Sequence, residues 1–213
     1  METEILADYA KGCRDFSHAD LSGADLSGAD LRGGRFRDAD LRRADLRGTD
    51  LRGTDLRETD LRGAKLSGTD LRNADLRNAD LRNADLRSAA MFMADLRDAD
   101  LSGADLRGAT DLPAAPVIPN IDAAILAEIV AGGVIDMDNW HTCETTHCRA
   151  GWAIYLADEA GAALERRYGT NVAGALIYAA SRPNNRVPNW FASAEEALAD
   201  LRASAAEAAP VQP

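Results

Sequence analysis

Residues 70–87 read "DLRNADLRNADLRNADLR", one window of a five-residue beat that limits what this chain can fold into. Taking the large apolar residue as the centre of each unit, the centres fall at Phe16, Leu21, Leu26, Leu31, Phe36 and Leu41. They continue at every fifth residue through Leu86, Met91, Leu96, Leu101 and Leu106, nineteen units without an insertion. Two places before each centre stands Ala, Thr or Gly, except for Arg14 in the first unit. One place before stands Asp in 16 of the 19 units, the exceptions being Arg35, Lys65 and Ala90. The place after is Arg thirteen times and Ser five times, with Phe92 as the remaining case.

A period of five is neither the 3.6 of an α-helix nor the 2.0 of a long strand. Within a unit, however, the small residue and the centre are two apart. In an extended segment both point to one side and the Asp between them points to the other. The Arg-Gly or Arg-Asn pair that follows suits a corner, because Gly and Asn tolerate turn conformations. Each unit is therefore expected to be a short extended segment plus a bend. Stacked units would place a column of Leu and Ala inside and the charges outside, a solenoid whose units cannot bury their apolar face alone.

These residues resemble the pentapeptide-repeat family, with its A(D/N)LXX pattern, over residues 14–108. The resemblance implies a right-handed quadrilateral β-helix with four units per coil. The fold class is then mainly β solenoid plus α, the β-helix being followed by a small C-terminal α-helical domain. Phe16 and Phe36, twenty residues apart, would stack in adjacent coils. At about 4.8 Å per coil the rod would be roughly 23 Å long. The expected organisation is an N-terminal cap over 1–13, the β-helix over 14–108 and a Pro-rich linker over 109–120. An α-helical domain over 121–208 and a disordered tail over 209–213 complete it.

Some members of this family bind DNA gyrase and are thought to imitate a duplex, so the resemblance brings a topoisomerase into view as partner. That reading requires dense negative charge. Residues 14–108 carry 19 acidic and 17 basic side chains, a net of −2. A duplex has one charge per ~1.7 Å, so roughly 23 Å of it would carry about 13 or 14. Summed over the faces of a twenty-residue coil, the charges are −2, −1, 0 and 0, with Arg14 adding +1. The rod is thus expected to be self-compensating, because like charges stacked in one column repel unless an opposite column lies beside them. The acidity lies elsewhere: residues 1–13 sum to −2 and 109–213 to −7, within a total of −11. That balance disfavours direct contact with nucleic acid or an anionic membrane. No apolar run reaches the ~18 residues of a membrane span. The first residues lack a basic segment followed by an apolar one, and three cysteines do not make a disulfide framework, so a cytoplasmic location is expected.

One unit breaks the pattern. In "SAAMFMA" at 88–94, Ala90 replaces Asp, Phe92 replaces Arg and Met93 takes the corner. Phe92 and Met93 are expected to point outward and to mark a contact site, packing on residues after 109 or on a second copy in a homodimer.

After Leu106 the beat slips, since Asp111 stands where a centre is due. "PAAPVIPN" follows, and helical spacing begins at Ile121, with Ile125 and Ile129 on one face and Gly132-Gly133 to end the helix. A second helix is expected from Thr145 or Thr146, with Cys148, Trp152, Tyr155 and Leu156 on one face. Further helices are expected at about 159–168, 170–181 and 194–206, the last with a capping box of Ser193 and Glu196. The stretch "HTCETTHCRAGW" resembles segments appended to other pentapeptide-repeat proteins and carries no activity with it.

Three readings compete for His141, Cys143, His147 and Cys148. In the structural one, Cys148 is a buried thiol on the Trp152 face. In the metal reading these residue types suit zinc, but H-x-C-x3-H-C matches no common finger, and adjacent His147 and Cys148 reach one tetrahedral ion poorly. The third is thiol chemistry or a Cys143–Cys148 redox pair, for which no acid or oxyanion element is identifiable. No phosphate-cradling glycine loop or nucleotide motif is present. The sequence therefore reads as a protein–protein interaction module without catalytic residues, cofactor or metal. The alternatives are a topoisomerase-protecting protein and a thiol- or metal-dependent activity in the helical domain.

Overall fold

The five-residue beat closes into coils of twenty. In the computed structural model, which describes residues 2–130, 134–135, 146–147, 149–182, 184–188 and 194–207, parallel bridges join each unit to the one twenty residues on. They run from Asp15↔Arg35 to Ala90↔Thr110, four units per coil, with the extended part of each unit reduced to a single bridging residue. The chain divides into two compact units, Met1–Pro113 with Asn185–Val187, and Ala114–Asn184 with Pro188–Pro213.

The main chain explains the period. In the unit beginning at Asp40, Leu41 N–H donates to Asp60 O of the next coil (2.8 Å) and Arg43 N–H to Arg62 O (3.0 Å). Ala44 N–H closes a turn onto Leu41 O (3.1 Å), and Asp45 N–H reaches back to Ala24 O of the preceding coil (2.8 Å). The fifth donor, Arg42 N–H, has no ladder partner and is accepted by Asp40 Oδ1 at 3.1 Å. All five N–H groups are satisfied, as backbone donors require. The Leu41–Ala44 turn has positive φ only at its third residue, Arg43 (φ 57), the mark of a type II turn. Every fifth residue from His18 to Gly108 adopts this left-handed conformation, nine of them Gly. Glycine and asparagine recur at the corners for that reason.

Inside, all nineteen centres are buried. Four of the small inward positions are Thr, and each buried hydroxyl finds a carbonyl, as Thr49 Oγ1 does on Leu26 O (2.8 Å) and Thr54 Oγ1 on Leu51 O (2.7 Å). The Phe16 ring stacks on Phe36 (5.5 Å, 14°), as the twenty-residue spacing implied, and Tyr9 continues the column onto Phe16 (5.9 Å). Tyr9 belongs to α1 (Glu2–Ala10), which lies within the N-terminal cap expected over 1–13.

Outside, wherever Arg stands two places after an Asp that caps a main-chain N–H, the same Asp holds it. Arg52 Nε and Nη2 donate to the two Asp50 oxygens (2.9 and 2.6 Å), while Nε lies 3.5 Å from Asp70 Oδ2 in the next coil. Guanidinium and carboxylate thus alternate up each column. The Arg hydrogen bond is the largest cause that lowers the carboxyl pKa of Asp30 and Asp45, both to about 2. Asp100 is the exception, its pKa raised chiefly by burial.

The second unit is helical: α2 (Ile121–Val130), α3 (Arg149–Leu156), α4 (Asp158–Tyr168), α5 (Thr170–Ser181) and α6 (Ala194–Glu207), with a two-residue parallel pair, β1 (Val134–Ile135) and β2 (Thr146–His147). Helix α5 is its centre, buried continuously from Val172 to Tyr178. A Cβ at Gly174 would lie 2.7 Å from Ala150 Cβ, so this glycine allows α3 and α5 to approach. Asp122 is buried (3% exposed) and accepts hydrogen bonds from Tyr178 Oη (3.3 Å) and Arg182 Nη1. Two expectations are corrected here. Helix α3 begins at Arg149, because Thr146 is extended in β2, a conformation that suits a β-branched residue. Trp152 is buried but Tyr155 is 47% exposed, since the inward stripe of α3 runs through Ala150, Ala153 and Ile154.

Replacing Leu51 with Asp should cost more than the roughly 2–5 kcal/mol of a buried Leu→Ala change, because it adds an unpaired carboxylate to a closed column. Arg52→Ala, on the outside, should cost no more than ~1 kcal/mol. Equal melting of the two variants would refute the inside–outside assignment. The depressed carboxyls set an acid limit. A carboxylate with pKa about 2 in the folded chain and ~3.9 unfolded adds stability that is present above pH ~4. It is lost as pH falls toward 2. Thermal melts should therefore be level from neutrality to pH ~4 and fall below it. A melting temperature unchanged at pH 2 would show that the ladder is energetically idle.

Candidate interaction surface

Each face of the stack presents two vertical rows, Asp and Arg. On the face carrying Asp30, Asp50 and Asp70, Arg32 binds Asp30 and approaches Asp50 (3.6 Å), and Arg52 binds Asp50 and approaches Asp70 (3.5 Å). Arg72 binds Asp70 (Nε to Oδ1, 2.8 Å), and the column then stops, because the next position is Ala90. The pKa of Arg72 is raised mainly by Asp70, with a further contribution from the charge of Asp111.

The three units that lack Asp are not equivalent. Arg35 pairs with Asp15 one coil below (3.0 Å), and Lys65 with Asp45 (3.4 Å), so both keep the column's charge alternation. Ala90 keeps nothing. The N–H of Phe92, which an Asp at position 90 would accept, has no acceptor among the described residues. The main chain at this unit is nevertheless regular: Leu71 N–H donates to Ala90 O (2.8 Å) and Asn73 N–H to Phe92 O (2.9 Å). Phe92 is 52% exposed and Met93 70%, and Met93 holds the corner at φ 58 without the freedom of glycine. Both side chains point outward, as the alternation within the unit requires.

Two open depressions mark the first unit. One, of about 790 Å³, lies between Leu6, Tyr9 and Arg14 on one side and Asp30 and Arg32 on the other. The second, of about 520 Å³, is lined by Arg42, Arg43, Arg62, Ser22 and Gly23. Most of their charged groups are held in the Asp–Arg ladder, so neither presents a free acid and base to a substrate.

Of the Cys/His cluster, His141, Cys143 and Cys148 lie outside the described residues, and only the backbone of His147, in β2, is described. Ser193 of the expected capping box also lies outside them. Among the described residues no three His, Cys, Asp or Glu side chains form a set that could hold a metal, and Cys13 is an exposed free thiol. The sequence marked Phe92 and Met93 by their departure from the repeat and gave no sign of Arg72, which lies one coil below Phe92. Their relation depends on which residue lies one coil above another, and no local signal carries that.

A family model described as pentapeptide repeats matches residues 19–57, 54–91 and 73–110. Among curated proteins none matches the chain. Among solved structures, HetL, a pentapeptide repeat protein involved in heterocyst differentiation regulation in the cyanobacterium Nostoc sp. strain PCC 7120, is 42% identical. The match covers 54% of this chain and 48% of HetL, with a TM-score of 0.52, so the chain spans about half of HetL's length. The pentapeptide repeat protein alr5209 of Nostoc PCC 7120 is 39% identical over 50% of this chain and 72% of its own, with a TM-score of 0.31. Full-length QnrB1, a plasmid-mediated fluoroquinolone resistance protein, is 20% identical over 52% of this chain and 65% of its own, with a TM-score of 0.30. The five-residue beat, the twenty-residue bridging, the family model and the likeness to HetL have one reading: the chain belongs to the pentapeptide repeat family.

Proposed function

We propose that this protein is a non-catalytic protein–protein interaction module in which residues 14–108 form a right-handed quadrilateral β-helix carrying the helical region 121–208. Its contact site is Phe92 with Met93. One observation carries this reading: the N–H groups of Arg37 and Ser67 are uncapped too and other corners hold left-handed non-glycine residues, but within residues 14–108 only this unit joins an uncapped N–H at Phe92 and a left-handed Met93 to exposed large apolar side chains. Each departure is unfavourable by itself, and strain of this kind persists where function retains it. Burial by a partner would favour association by roughly 1.5–3 kcal/mol for each large apolar side chain. The surrounding lattice is neutral and self-paired, so it gives orientation rather than attraction.

A topoisomerase remains a partner class to be tested, since QnrB1 is a fluoroquinolone resistance protein. The net of −2 over the repeat argues against imitation of a duplex. The double change Phe92→Arg with Met93→Gly restores the repeat consensus. It should melt at or above the parent temperature, because glycine relieves a left-handed residue that costs about 1–2 kcal/mol, and it should lose the partner recovered with the parent chain. An unchanged set of partners would refute the contact site. Inhibition or protection of gyrase supercoiling by the parent chain, lost in the double variant, would identify the partner class. Protein purified without added metal should contain no stoichiometric zinc; a full equivalent would instead favour a metal site at His141, Cys143, His147 and Cys148.

A further inference from the structure

In a regular unit one carboxylate collects donors from two coils. Asp50 accepts Arg52 N–H (3.2 Å) and the Nε and Nη2 of Arg52 (2.9 and 2.6 Å), while Arg32 Nε of the coil below lies 3.6 Å away. At position 90 the same place holds only the methyl group of Ala90, which stands over Asp70. By equivalence with the regular units, two donors are left facing it. Phe92 N–H has no acceptor among the described residues, and Arg72 spends Nε and Nη2 on Asp70 with no carboxylate above. Arg72 Nη1 has no hydrogen-bond partner among the described residues. The other two units without Asp differ, because a long cationic side chain occupies the place: Arg35 reaches down to Asp15 and Lys65 to Asp45. Asp111 stands one coil above Met91 and adds its charge to the surroundings of Arg72, but the two make no ion pair.

The face is therefore short of one carboxylate, at a place whose geometry the neighbouring units define. A carboxylate set there would complete the alternation of guanidinium and carboxylate up the column and accept the one N–H that this unit leaves open. Beside it the surface is apolar, since Phe92 (52% exposed) and Met93 (70% exposed) stand where the units below carry Arg with Gly or Asn. An apolar partner alone would bury Arg72 and the N–H without partners, which is unfavourable. An acid alone would leave Phe92 and Met93 in water. Resting on the reading of Phe92 and Met93 as a contact site, we propose that the partner is a peptide segment of another protein in which one Asp or Glu stands beside a large apolar residue. Its carboxylate takes the place that Asp holds in the repeat, between Arg72 and the N–H of Phe92, and its apolar neighbour covers Phe92 and Met93. A single acid fits better than an acidic tract, because the chain carries −11 overall and Asp70 lies one coil below the place.

Titration of the isotope-labelled full chain with N-acetyl-aspartyl-leucinamide, followed by amide NMR, tests this, with the asparaginyl analogue as the uncharged control and a thermal melt of each variant as the check on folding. The Phe92 amide should shift saturably with the aspartyl peptide and not with the asparaginyl one. Arg72→Ala should weaken the response by about tenfold, as loss of a hydrogen bond to a charged group does. Ala90→Asp supplies the carboxylate within the chain, so this variant should melt at or above the parent temperature and give no response. A parent chain without a saturable shift, a shift shared by the asparaginyl peptide, or one that survives Ala90→Asp would overturn the proposal. So would a response that appears only in Asp111→Asn, since Asp111 would then already fill the place. Self-association of the parent chain that Ala90→Asp removes would make the donor a second copy and overturn the assignment to another protein. If the Phe92→Arg with Met93→Gly variant loses its partner while Ala90→Asp keeps it, only the carboxylate fails. If both keep it, the contact site fails with it.

Discussion

The stack depends on one side-chain-to-backbone hydrogen bond, from the N–H after each centre to the Asp before it. A unit of five residues uses two N–H groups toward the coil above, one toward the coil below and one to close its turn. The fifth, such as Arg42 N–H, points where no neighbouring carbonyl lies. Asp40 Oδ1 accepts it at 3.1 Å. A carboxylate on a short side chain can reach this donor and still offer its remaining lone pairs outward. That is why Asp occupies 16 of 19 such positions.

Charge follows from that bond. Coils that repeat every twenty residues place Asp above Asp, and a row of stacked carboxylates would repel itself. Arg two places on resolves this locally and across coils, as Arg62 does by binding Asp60 and lying 3.5 Å from Asp80. Exposed pairs of this kind contribute little each. Their effect is to make a densely charged surface nearly neutral over residues 14–108. The unit at Ala90–Met93 is where three departures from this lattice coincide.

Much of this was legible in the sequence. The two-residue spacing between Ala44 and Leu46 fixes that both face inward, and both are buried. The recurring Gly and Asn mark the corners, although residues such as Arg43 and Met93 take the same left-handed conformation and show no such sign. The substitutions at Ala90, Phe92 and Met93 were visible as exceptions. Helices α2, α4, α5 and α6 could be placed from apolar spacing to within a residue or two, whereas the start of α3 could not. Thr146 there is drawn into a pairing with Val134, a partner twelve residues away that no local propensity reveals.

By itself the sequence determined the period, the inward and outward faces and the near-neutrality of the repeat, because all three are set within five consecutive residues. Tertiary structure decided which residues lie above one another. Only the twenty-residue coil places Lys65 over Asp45, sets Ala90 over Asp70 so that Arg72 lacks a carboxylate above it, and brings Thr110 over Ala90. A periodic sequence specifies its unit many times over, but how many units close a coil is set by main-chain hydrogen bonds between residues nineteen and twenty-one apart. Those bonds form only when the chain has turned back on itself.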